Sequence, residues 1–153
     1  MTRKNLILIA AAGSAALLLG ALAFQHFGGL APCKLCLWQR WPHAAAVVLG
    51  GLWLVFPSRL LALGGAAAAA VTGGIGIYHT GIERRWWQGP DTCTSGEIGG
   101  LSPDELMQQI FAAPLVRCDE VAWQMAGLSM ASWNAVLSFV LMALWLLAAR
   151  ARA

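Results

Sequence analysis

Apolar residues run through this chain in four long blocks, with most of the polar chemistry confined to the breaks between them. Leu6 to Phe24 is 19 residues without a charge, and Trp41 to Ser58, Leu60 to Ile82 and Val121 to Ala149 are three further uncharged stretches. A helix rises about 1.5 Å per residue, so about 20 residues cross the ~30 Å hydrocarbon core of a bilayer. The pattern predicts an all-α membrane protein, a four-transmembrane-helix bundle with spans at about 6–24, 38–56, 60–79 and 131–149. Residues 1–153 form a single integral membrane domain in this reading. The second stretch is the shortest and has Pro42 and His43 near its start, as suits a helix entering from the polar interface.

The first block has a second reading, because Arg3, Lys4, an apolar core and Ala21-Leu22-Ala23 also resemble a cleavable signal peptide. Its apolar core exceeds the 7–15 residues usual for a signal, which favours an uncleaved helix. Gly and Ala are frequent in the third block (Gly64-Gly65, Ala66 to Ala70, Gly73, Gly74, Gly76), so its neighbours are expected to pack closely.

Two connections carry the polar residues, at about 25–37 and 83–121, and four spans place both on one side. The opposite side holds the termini and the tiny turn at Pro57-Ser58-Arg59. In the longer connection, Ser102-Pro103-Asp104-Glu105 reads as a helix start, with Ser102 as cap, Pro103 first and Glu105 completing a capping box. Leu106, Ile110 and Phe111 then make this a short amphipathic helix, expected to lie on the membrane surface or against the loop.

Composition sharpens the picture. The chain is 59% hydrophobic and 11% charged, against about 25% charged in soluble domains. Disordered chains have the opposite bias. All seven acids lie between residues 83 and 120, and the net charge of +3 comes without a basic stripe that could track phosphates. Lys and Arg divide evenly between the two sides, so charge alone does not orient the bundle. Tryptophans 38, 41, 86, 87, 123 and 133 fall near the loop side and 53 and 145 near the other. An interfacial aromatic belt is expected from this.

The candidate chemistry is in the cysteines. Cys33-Lys34-Leu35-Cys36 follows the first span, while Cys93 and Cys118 lie in the long loop, so all four share one side. They are expected within reach of water and partner proteins. Cys36 should fall in the first turn of a helix, where the dipole and free N–H groups stabilise a thiolate. Arg40 follows at i+4 on the same face, able to stabilise that thiolate or a developing anionic oxygen. A lone CxxC is also compatible with a structural disulfide or half a zinc site. Cys93 and Cys118 are too far apart in sequence for the usual second metal pair, and His26, His43 and His79 have no ligand spacing, so no metal is expected. The loop cysteines allow a structural crosslink or a labile disulfide; the polar run Gly89 to Thr94 favours the labile form.

At these residues the chain resembles the bacterial disulfide bond formation protein B (DsbB) family. The resemblance rests on the CxxC with Gln39-Arg40, Tyr78-His79 and Glu83 closing span 3, Cys93 and Cys118, then Trp123 and Gly127-Leu128. It implies a quinone-dependent protein-disulfide oxidoreductase that reoxidises a periplasmic thioredoxin-fold oxidase of the DsbA type. Cys93 would form the mixed disulfide with that partner. Cys118 would then attack Cys33, releasing Cys36, with electrons passing to ubiquinone or menaquinone. The resemblance places Arg40 and His79 near the quinone, although interfacial packing accounts for His79 equally well. It also implies the bacterial inner membrane, periplasmic cysteine loops and cytoplasmic termini. Gln39 stands where some relatives have an acid. Two rivals are a vitamin K epoxide reductase-like protein, whose CxxC falls later in the chain, and a non-enzymatic membrane scaffold with structural disulfides.

Overall fold

The computed structural model describes residues 1–90, 102–112 and 116–151. Four long helices dominate it: α1 (Arg3–His26), α2 (Lys34–Val55), α3 (Arg59–Glu83) and α5 (Met130–Arg150). Between the last two lie the short helix α4 (Pro103–Ala112) and a hairpin of β1 (Gln124–Met125) and β2 (Leu128–Ser129). Each long helix starts where a side chain caps it. Thr2 accepts from the Asn5 N–H, Cys33 from Cys36, Ser58 from Leu60 and Ser129 from Ser132. Such caps satisfy backbone donors that helix geometry leaves open.

The four helices close a ring, in which α1 and α3 each pack against both α2 and α5. Helices α1, α3 and α5 are long and apolar enough to cross a membrane. The 22-residue α2 matches their length but carries Lys34, Gln39, Arg40, Pro42 and His43 in its first half. Its second half turns Val48, Leu52 and Val55 outward, as the other helices do with Leu19, Val71 and Val140. Apolar side chains around the whole outside suit lipid rather than water. The chain is a helical, multi-pass membrane bundle.

Trp145 fills the end of the ring near the termini. It is fully buried, together with Ile7, Ala10, Trp53, Ala62, Ala66 and Ala148. An interfacial belt was expected to hold Trp53 and Trp145, and both instead belong to the core. For Trp145 the reason lies across the bundle at Gly65, where a Cβ would sit 2.5 Å from its ring. The missing side chain makes the space the indole occupies. Trp38, Trp41, Trp86 and Trp87 are exposed, at the loop end of the bundle.

The last apolar block does not enter a helix directly. Ala126 and Gly127 both have positive φ, 52° and 76°, and join β1 to β2 in a two-residue turn. Such turns need left-handed backbone at both positions. α5 therefore begins only at Met130. Helix α4 begins at Pro103, with Met107 and Phe111 exposed. The side chains of Glu105, Leu106 and Ile110, on which the capping box and apolar patch rest, lie outside the described residues, as does Cys93.

Gly65→Ala should lower the detergent melting temperature, costing about 1–3 kcal/mol as Trp145 is displaced. Gly74→Ala, which meets nothing within 4 Å, should be neutral or stabilising by up to about 1 kcal/mol. Equal melting shifts in the two variants would remove Trp145 from its place as the keystone of that end.

Candidate functional site

The start of α2 sets the geometry. Cys33 caps the helix, its Sγ accepting the Cys36 N–H at 3.3 Å, and this turn brings the two sulfurs to 2.9 Å. Cys33 is 4% exposed and Cys36 is half-buried. Both precede the second apolar span. The Cys33 S–H donating to Cys36 holds the Cys36 thiol below its ordinary value, while the same pairing and burial push Cys33 up. One sulfur of the pair is thus the better thiolate and leaving group, and it is Cys36.

His79 on α3 lies at the centre of the site. Its Nε2 is 3.6 Å from Cys33 Sγ, and its Nδ1 is 3.1 Å from the Gln39 amide nitrogen. Glu83, one turn on, brings Oε1 to 3.9 Å from Nε2, and its other oxygen accepts a hydrogen bond from Ser129. Gln39 and Glu83 were not expected to form the ring's surroundings. The i,i+4 spacing of His79 and Glu83, and Gln39 three residues beyond Cys36, are the signals that could have shown it.

Cys118 also reaches this site. It is fully buried in a cluster with Cys33, Leu35 and Ile82. Arg117 grips the carboxylate of Asp119 through two bonds of 2.9 and 2.6 Å, closing the turn around it. The expectation of water-accessible cysteines therefore fails for Cys33 and Cys118. The segment around Cys118 folds back over the ends of α2 and α3 and covers them.

A cavity of about 420 Å³ opens beside the sulfurs, lined by Cys33, Cys36, Arg40 and His79 with mostly apolar walls from α1 and α5. Arg40 turns toward α1: Nη1 donates to Gln25 at 2.6 Å and Nη2 to the Ala21 carbonyl at 3.4 Å. Its Nε is buried without a hydrogen-bond partner among the described residues. Arg40 and Cys36 share the cavity wall. His43 lines the cavity too; in the sequence it reads as part of a helix entrance and as a histidine without ligand spacing.

Cys33, Cys36 and His79 place three donor atoms within 4.8 Å of one another. Sequence spacing gave no reason to join the histidine to the CxxC; the packing of α2 on α3 does so. Two thiolates on a tetrahedral zinc, each at about 2.3 Å, stand roughly 3.8 Å apart. The observed 2.9 Å is shorter than that separation.

A buried dithiol at the end of a membrane helix bundle, with a third cysteine folded onto it, defines a membrane thiol–disulfide protein. The model of the family described as "Disulfide bond formation protein DsbB" matches residues 3–148. The chain belongs to that family. It is 36% identical to "Disulfide bond formation protein B" of Pasteurella multocida over 81% of this chain and 74% of that one. It is 30% identical to the protein of that name from Polaromonas over 94% and 88%. With "Disulfide bond formation protein B 2" of Pseudomonas aeruginosa it shares 32% over 83% and 79%. No solved structure matches the chain significantly. Family membership makes this a membrane protein of disulfide bond formation, in an oxidoreductase role.

In the reduced protein, Cys36 should be alkylated before Cys33 and Cys118, with a pH midpoint below the ~8.5 of free cysteine. Alkylation needs thiolate, so a lowered pKa extends it to lower pH. Cys33→Ala removes the donor and should move the midpoint up, while Cys33→Ser retains one and should move it less. Mass mapping of the alkylated peptides across a pH series checks both.

Proposed function

We propose that this protein oxidises a thioredoxin-fold dithiol oxidase of the DsbA type and passes the electrons to a membrane quinone. The observation that carries the reading is the cavity, which shares Cys36 and Arg40 on its wall and has apolar sides. Its volume lies within the 300–1,000 Å³ range of small-molecule sites. A quinone is a flat apolar ring with polar edges, and the buried, unpaired Arg40 Nε is a donor suited to such an edge. When bound, the quinone supplies the two-electron sink.

The chain's own residues do the rest. One thiol of the partner's dithiol attacks Cys93 of the Cys93–Cys118 disulfide, forming a mixed disulfide and releasing Cys118. Cys118, packed with Cys33, attacks Cys33 of the Cys33–Cys36 disulfide, and Cys36 departs as the stabilised thiolate. The partner's second thiol then closes the partner's disulfide and frees Cys93, which attacks Cys118 to restore Cys93–Cys118 and release Cys33. Cys33 and Cys36 give two electrons to the acceptor as their disulfide closes; one proton comes from the Cys33 thiol and the other from water. Arg40 orients the acceptor and holds Cys36 ionised, and His79 keeps a hydrogen bond available at Cys33. Burial of Cys33 and Cys118 protects this exchange from other thiols. The cysteine loops face the periplasm and the termini the cytoplasm of the bacterial inner membrane, since such pairs persist oxidised only outside the cytoplasm.

Purified protein given a reduced DsbA-type oxidase and a quinone should bleach the quinone absorbance, and Cys36→Ser should abolish this. No bleaching by the native chain would overturn the proposal. Cys118→Ser should accumulate a mixed disulfide through Cys93, which Cys93→Ser should not. Arg40→Lys keeps the charge but loses the planar fork. A several-fold higher KM for quinone is expected, with partner exchange at Cys93 unaltered.

A further inference from the structure

The cavity wall contributed by α2 is a single stripe, Cys36, Gln39, Arg40 and His43, at i, i+3, i+4 and i+7. Two helical turns, about 10 Å, separate its ends. The far end, His43, is 3% exposed, and its Nδ1 is buried with no hydrogen-bond partner among the described residues.

The protonation of this ring follows from its neighbours. Asn134 donates through Nδ2 to the Thr72 carbonyl at 3.3 Å and to Thr72 Oγ1 at 3.1 Å. A carbonyl can only accept, and the Thr72 hydroxyl already donates to the Gln39 carbonyl at 3.1 Å. The amide nitrogen of Asn134 is therefore on the Thr72 side, and Oδ1 faces His43 Nε2 at 2.9 Å. Oδ1 accepts, so Nε2 carries the hydrogen. The Ser138 hydroxyl is farther away, at 3.5 Å. With only these uncharged partners, the buried imidazole is neutral and Nδ1 holds a bare lone pair.

We infer that His43 Nδ1 is a hydrogen-bond acceptor for a hydroxyl of the bound, reduced electron acceptor, so that the cavity favours the quinol over the quinone. This rests on the proposed function and assigns it a further binding residue. A quinone ring offers oxygens that only accept, leaving Nδ1 unsatisfied. Transfer of two electrons from Cys33 and Cys36, with the Cys33 thiol proton and one proton from water, converts quinone to quinol as the disulfide forms. Each new hydroxyl carries a donor, and one of them pairs with Nδ1. Tighter binding of product than reactant draws electrons out of the dithiol.

The test is binding rather than turnover. In full-length protein carrying Cys33→Ser and Cys36→Ser, no electrons exchange with the ligand, and Trp123 and Trp133 on the cavity wall report occupancy by fluorescence quenching. The probes are a short-chain benzoquinone, its quinol and the quinol's dimethyl ether. With His43 present, the quinol should bind about tenfold more tightly than the ether, the worth of one neutral hydrogen bond. His43→Phe should reduce that ratio to within about twofold and leave quinone affinity nearly unchanged. A tenfold loss of quinol over quinone binding is about 30 mV in the bound couple. Equal quinol and ether binding with native His43 overturns the inference without any substitution at that residue. So does a quinol preference that survives His43→Phe, or quinone and quinol weakening together. If none of the probes binds, the quinone reading of the cavity falls and this inference with it. If quinone binds without a quinol preference, only His43 loses its role.

Discussion

One hydrogen bond, from the Cys36 N–H to the sulfur of Cys33, decides where α2 begins, and the arrangement of the site follows from that start. Capping by Cys33 leaves Cys36 in the first turn, with its sulfur beside the cap's sulfur and backbone donors nearby. The helical repeat then sends Gln39, Arg40 and His43 to the same face. Redox pair, cation and polar edge are thus positioned by a single helix terminus.

The bundle tolerates this much polarity because nearly every buried polar group on the stripe is tied to another helix. Gln39 meets His79, His43 meets Asn134, and Thr72 joins the Asn134 amide to the Gln39 carbonyl. In an apolar surround, unpaired polar groups are costly, so these ties fix the relative rotation of α2, α3 and α5. At the opposite end Trp145 packs against Gly65, and Arg3 lies over the Trp53 ring. The cavity occupies the end that carries the cysteines.

Burial of Cys118 changes how the cysteines divide their work. A fully covered Cys118, packed in one cluster with Cys33, is out of reach of a large partner in this arrangement. The pairing of roles suggested by the family resemblance therefore has a steric counterpart: an inner trio of Cys33, Cys36 and Cys118, with Cys93 outside the described residues. Glu83 supplies an acid to the same centre from α3, opposite Gln39, so the site keeps a carboxylate beside its histidine although α2 provides none.

Length, the four uncharged blocks and the CxxC with Arg at i+4 were enough to read a membrane helix bundle and its redox motif, because helix formation and membrane insertion respond to local composition and spacing. The start of α4 at Pro103 was legible for the same reason, in a local capping signal. The place of Trp145 was not, since a tryptophan's preference for the interface yields to a glycine-lined space that exists only when α3 and α5 meet. Nor was the burial of Cys118, or the meeting of His79 with Cys33 and Gln39, 46 and 40 residues away in sequence. The Ala126-Gly127 turn that delays α5 depends on left-handed backbone at an alanine, which no local propensity favours. Long-range packing decided these, because it alone determines which spaces are empty and which buried polar atoms find a partner.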